Sequence, residues 1–130
     1  MSRKPSRKNL IKKLDNTFSQ WIRLRYNKNE IAECVTCGKK DHWKKLQAGH
    51  FVGRKHYSTR WDQINVQVQC MGCNVFRYGE QYKFGLFINR TYGDGTTDEL
   101  FKKSREIVKY MDEEIKDMIN YYSELVEELK

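Results

Sequence analysis

Cys34-Val-Thr-Cys37 and Cys70-Met-Gly-Cys73 contain all four cysteines of the chain, as two C-x2-C knuckles separated by residues 38–69. A C-x2-C turn aims two thiolates at one point, and two such turns supply the tetrahedral set that zinc takes in closed structural sites. A redox pair or two disulfides are the alternatives for four cysteines, and the spacing favours zinc. Between and just beyond the knuckles stand His50, His56, Asn65 and Asn74. An imidazole titrates near neutrality and suits removal of a proton from water. A side-chain amide oxygen suits a hard cation such as Mg2+ or Mn2+.

These residues need elements to position them. From about Asn9 to Asn27, the apolar positions Leu10, Ile11, Leu14, Phe18, Trp21, Ile22 and Leu24 follow helical spacing. Lys12, Lys13, Arg23 and Arg25 occupy the other faces, which predicts an amphipathic helix with a basic back. Residues 1–8 are expected to form a flexible basic arm. Leu46–Val52 suits a short strand carrying His50, and Asn65–Gln69 alternates in strand fashion. The polar segment Gly53–Gln63 joins them and brings Arg54, Lys55, His56 and Arg60. Asn74 to about Ile88 reads as helix, with Gly79 and Gly85 as candidate breaks, and Tyr92-Gly-Asp-Gly-Thr96 reads as a turn.

Thr96-Thr-Asp-Glu99 has a capping-box pattern and opens a helical tail. Phe101, Ser104, Val108, Met111, Ile115, Met118, Tyr122, Leu125 and Leu129 then fall on a heptad stripe, in one helix or in two broken near Asp112. That stripe can pack on the N-terminal helix of the same chain or form the seam of a homodimer. Trp21, Trp43 and Trp61 are expected in the core rather than as base-stacking platforms.

The 130 residues fit one domain, with 38% hydrophobic and 32% charged residues. An apolar core is modest at this composition, and a metal staple is a common remedy. No apolar run reaches the ~20 residues needed to span a bilayer, and the basic N-terminus lacks the apolar stretch of a secretory signal. A soluble protein of the cytoplasm is expected. Net charge is +8 and unevenly spread. Residues 1–28 carry nine Lys/Arg and one Asp, residues 29–97 ten and six, and residues 98–130 six and ten Asp/Glu. A polyanion would meet the first two thirds and avoid the last, so nucleic acid is the expected partner.

Knuckle, strand, loop, strand, knuckle, helix is the order of a ββα-metal finger, in which zinc would clamp the strand bearing His50 to the helix bearing Asn74. In detail, Gln47-Ala-Gly-His-Phe51, Arg60-Trp-Asp62, Asn65 and Gln69-Cys-Met-Gly-Cys-Asn74 resemble the HNH (His-Me finger) nucleases, and more narrowly the phage recombination endonucleases of the NinG/Rap family. The resemblance spans about residues 34–93. It implies an α+β fold: a zinc-stapled finger at 34–93, flanked by the basic arm and helix at 1–28 and by helices at 96–130.

The resemblance also implies roles. His50 is the general base, Asn65 holds the loop bearing it, and Asn74 ligates Mg2+ or Mn2+ through its carbonyl oxygen, while Cys34, Cys37, Cys70 and Cys73 hold structural zinc. Phosphodiester hydrolysis of branched or recombination-linked DNA follows, with 5′-phosphate and 3′-hydroxyl products. Arg54, Lys55, Arg60 and Arg77 are the candidate phosphate contacts. Many HNH nucleases carry a metal-binding Asp just before the base, where this chain has Gly49. His56 or Asp62 could complete the metal shell, or water and substrate phosphate could. A non-catalytic zinc module that binds nucleic acid and a general or restriction-type nuclease are the competing functions.

Overall fold

In the computed structural model, which describes residues 5–130, the N-terminal helix α1 spans Arg7–Leu24. Ser6 caps it, its Oγ accepting from Asn9 N at 3.1 Å, so the helix begins inside the expected basic arm; residues 1–4 of that arm lie outside the described residues. Leu10, Leu14, Phe18 and Ile22 recur every fourth position and are buried, each contributing roughly 1.5–3 kcal/mol by leaving water. The helix ends three residues earlier than Asn27, because Asn27 turns the chain: its Nδ2 donates to Leu24 O and its Oδ1 accepts from Glu30 N.

Two short antiparallel pairs follow. Strands β1 (Ile31–Glu33) and β2 (Lys40–His42) flank the first knuckle, with Ile31 opposite His42. Strands β3 (Gln47–His50) and β4 (Val66–Gln69) pair with Gln47 opposite Gln69 and His50 opposite Val66. The one-turn helix α2 (Tyr57–Arg60) lies in the loop between them. Val35 N donates to Val68 O at 2.9 Å, which ties the first knuckle to β4.

The expected helix from Asn74 to Ile88 is interrupted. A π-turn covers Gly72–Phe76, the chain bends at Tyr78–Glu80, and helix α3 runs Gln81–Tyr92. Tyr78, Gly79 and Glu80 all have positive φ (54°, 87° and 48°), a left-handed run that no α-helix continues through. Gly79 therefore breaks the helix, whereas Gly85 sits within α3, where an added β-carbon would meet the Phe51 ring at 3.5 Å.

Helices α4 (Thr96–Ser104) and α5 (Asp112–Leu129) form the tail. The capping box expected at Thr96 is absent: Gly95 is the N-cap, and Thr96 Oγ1 donates back to Gly93 O. The heptad stripe is also corrected. On α5 the buried positions are Ile115, Ile119, Tyr122 and Val126, with Met118 and Leu125 only half-buried, because a straight helix drifts away from a strict seven-residue repeat. Phe101 and Met111 are exposed. The buried α5 stripe packs on α1 of the same chain, with Tyr122 edge-on to Phe18 at 4.9 Å.

The result is an α+β protein with two apolar clusters. The larger joins α1, α5, β4, Trp43, Trp61 and three cysteines; the smaller joins Phe51 and Val52 to Phe84, Ile88 and Leu100. Trp43 and Trp61 are buried and Trp21 half-buried, as their apolar surroundings predict. No helix among the described residues is long and apolar enough to cross a membrane.

Candidate functional site

The knuckles close on one point. The Sγ atoms of Cys34, Cys37, Cys70 and Cys73 all lie within 4.8 Å of one another, and Cys37 and Cys70 are 3.6 Å apart. A tetrahedral ion with Zn–S bonds of about 2.3 Å asks for that spacing. Gly38, at φ 81°, lets the first turn close with its N–H on Cys34 O at 2.9 Å. Burial opposes ionisation of Cys34, yet hydrogen bonds from Thr36 Oγ1 and from neighbouring N–H groups bring its thiol down to about 6. Cys37 moves the other way, up to about 12: the N–H of Lys39 favours its thiolate, but burial and the other three sulfurs outweigh it. Four thiolates this close repel one another, and a cation relieves the repulsion. These residues could hold a structural zinc ion.

Beside the cluster lies a cleft of about 600 Å3, walled by Asp15, Ser19 and Arg23 of α1 and by Gln47, His50, Arg54 and Asn74. His50 and Asn74 therefore share one cavity. The His50 ring is oriented by backbone: Nε2 lies 3.0 Å from Arg60 O. A carbonyl only accepts, so Nε2 carries the proton and Nδ1 keeps the lone pair. Burial, reinforced by the Arg54 and Arg60 charges and only partly offset by that carbonyl and by Asp15, lowers the His50 pKa to about 4. The ring is neutral at pH 7 and able to accept a proton.

Asn65 holds this arrangement without touching the ring. It is wholly buried. Its Oδ1 accepts from Val52 N at 2.8 Å, and its Nδ2 donates to Val52 O and Thr59 O, each at 3.0 Å. Asn65, at the end of the loop, is thereby tied to its start just after His50 and to the residue just before the carbonyl of Arg60.

Asn74 follows the second knuckle directly, its N–H bonded to Cys70 O at 2.9 Å. Its Nδ2 donates to Gln47 Oε1 at 2.8 Å, which turns Oδ1 the other way. Among the described residues the only buried side-chain polar atoms lacking a partner are Arg25 Nε and Gln69 Oε1. His50 Nδ1 and Asn74 Oδ1 accept no hydrogen bond there either, and both residues line the cleft. Gly49 explains itself: a β-carbon there would collide with Gln69 Oε1 and stand 3.1 Å from Asn74 Oδ1.

The candidate phosphate contacts divide. Arg54 lines the cleft and is 61% exposed, and Lys55 is exposed on the same loop. Arg60 is engaged within the protein: its guanidinium grips Asp15 at 2.6 and 3.0 Å and also donates to Arg54 O. Arg77 stands at the cysteine cluster, with Nη2 on Cys73 Sγ at 3.2 Å and Nε on Glu80 at 3.0 Å. His56 lies outside the cleft lining, as does Asp62, whose Oδ2 pairs with Lys103 at 2.6 Å.

Sequence reasoning missed three contributors: the Arg60 carbonyl, the α1 wall and Asp15. Asp15 anchors Arg60 and also accepts from Trp61 Nε1 at 3.0 Å. A lone acid among nine basic residues in the first 28 was the available signal.

Compared with known proteins, the chain matches the family model described as Bacteriophage Lambda NinG protein over residues 2–130. No curated protein and no solved structure matches it.

Proposed function

Taking as premise that the chain belongs to the NinG family, we propose that it is a metal-dependent DNA endonuclease of the HNH type, acting on branched or recombination-intermediate DNA. One observation carries the reading: a neutral imidazole with an open Nδ1 and an amide with an open carbonyl oxygen line one cleft. The antiparallel pair β3–β4, the loop between them and the turn bearing Asn74 support a ββα-metal finger stapled by zinc at the four cysteines.

In this reading a water in the cleft attacks phosphorus while His50 Nδ1 takes its proton, and the P–O bond to the 3′ carbon side breaks. The departing 3′-oxygen acquires a proton from solvent, leaving a 3′-hydroxyl and a 5′-phosphate. Asn74 Oδ1 is chemically suited to Mg2+ or Mn2+, being a neutral oxygen beside room for waters and phosphate. Such an ion would stabilise the charge that develops on the phosphate and the 3′-oxygen. The Arg60 carbonyl fixes the ring tautomer, and Asn65 keeps His50 and that carbonyl in register. Arg54 and Lys55 meet the DNA backbone, consistent with the basic charge of the first 97 residues.

The test is cleavage of linear, supercoiled and four-way-junction DNA by zinc-loaded protein, with and without Mg2+ or Mn2+. Metal-dependent cutting that disappears in His50→Ala while DNA binding persists supports the proposal. Binding without cutting under every condition would reassign the protein as a non-catalytic zinc module. Equal cutting of all three substrates would remove the branched-DNA preference and keep the nuclease.

A further inference from the structure

Gln69 is fully buried at the end of β4, one residue before the second knuckle, and its amide is held in one orientation. Nε2 donates to Gly79 O at 2.8 Å and to Thr36 Oγ1 at 3.2 Å. A flipped amide would set its oxygen against the Gly79 carbonyl, so the assignment of N and O follows from the partners. Oε1 must then face away from both, and it meets no donor. A buried acceptor without a partner is rare in a native fold and asks for an ion or a water.

The direction of Oε1 says which. It occupies the space where the β-carbon of residue 49 would stand, and Asn74 Oδ1 lies 3.1 Å from that same position. Two carbonyl oxygens, each turned there because its own NH2 group is committed elsewhere, thus flank the place of a residue-49 β-carbon, Asn74 lining the cleft and Gln69 wholly buried. The turn that supplies Gly79 O has three successive left-handed residues, two of them not glycine, a conformation kept only where its surroundings impose it.

We propose that Gln69 Oε1 is the second protein ligand of the divalent cation facing Asn74 Oδ1, reaching across β3 into the place that an acidic side chain would fill if residue 49 were not glycine. This rests on the reading of Asn74 as a metal ligand. It accounts for Gly49, for the orphaned oxygen and for the amide orientation together. Two neutral oxygens suit a hard ion that keeps several waters and takes substrate phosphate as a further ligand, and they make a weaker site than a carboxylate would.

The test is Mn2+ binding to zinc-loaded protein without DNA, read by the electron paramagnetic resonance of unbound Mn2+, with zinc content and thermal melting as controls. Gln69→Leu and Asn74→Ala should each weaken Mn2+ binding tenfold or more while zinc is retained. Loss in Asn74→Ala with wild-type affinity in Gln69→Leu would overturn this proposal and leave the Asn74 reading standing. Unchanged affinity in both would overturn both. If Gln69→Leu loses zinc, Gly49→Asp combined with Gln69→Ala decides. Its carboxylate would fill the vacated place and should bind Mn2+ at least as well as wild type, whereas affinity no better than that of Gln69→Ala alone would refute the assignment.

Discussion

The cysteine cluster and the neighbouring cleft use polar atoms in contrasting ways. In the cluster four sulfurs point at one another and leave no coordination position over. In the cleft His50 and Asn74 are half-satisfied: His50 donates through Nε2 and Asn74 through Nδ2, so each keeps one acceptor open. A closed set suits an ion that holds the fold, and an open set suits one that must share its shell with water and substrate. The difference lies in the hydrogen bonds behind the functional atoms more than in the atoms themselves. A thiolate presents one donor atom from any side, whereas imidazole and amide have two unlike ends, and the protein must decide which end faces the cleft.

The contrast predicts the largest effect at the cluster. Chelation of zinc, or Cys70→Ser, should unfold the central unit, since structural zinc contributes on the order of 10–16 kcal/mol in small finger peptides. Circular dichroism and thermal melting would read this, and an unchanged melt would show that the thiols hold nothing. His50→Ala should leave the melt intact while lowering Mg2+-dependent cleavage by on the order of 10²-fold or more; retained cutting would remove the cleft from the chemistry.

Asn65→Ala falls between the two regions, because it strips hydrogen bonds from buried backbone groups of Val52 and Thr59. It should cost at least about 2 kcal/mol in denaturant unfolding and also lower cleavage. A loss of stability with full activity would separate the loop from the base.

The pH dependence sharpens the comparison further. His50 titrates near 4 in the fold and near its ordinary 6.5 when unfolded, so between those values the unfolded chain binds the extra proton. Its contribution to stability is complete above about 6.5 and is lost as pH falls towards 4. The acid limb of kcat/KM should likewise fall near 4; a limb at 6.5 would mean an exposed, ordinary imidazole. The smallest effect belongs to the cleft rim. Arg54→Ala should weaken DNA binding and reduce the salt slope by about 1, whereas Arg77→Ala, tied to Cys73 and Glu80, should leave the slope unchanged.

How much of this the sequence discloses follows the same division. The thiol cluster was legible because C-x2-C spacing is local, and β3 and β4 fell inside the expected strands because alternation is local too. The stripe on α1 was legible for the same reason. What escaped was tertiary. The Arg60 carbonyl has no side-chain signature, and Arg60 itself, read as a phosphate contact, answers to Asp15 on a helix 45 residues away. On α5, Met118 and Ile119 are both apolar neighbours, so only packing against α1 could choose between registers. Gln69 looked like one more polar position of an alternating strand until Gly79 was seen to hold its amide.

The central claim is that the fold fixes His50 as a neutral ring with its proton on Nε2 and its lone pair on Nδ1. Nitrogen-15 NMR of the zinc-loaded protein with labelled histidine tests it directly. The account predicts a neutral, Nε2-protonated His50 from pH 8 down to about 5. A proton on Nδ1, or a charged ring at neutral pH, would contradict it.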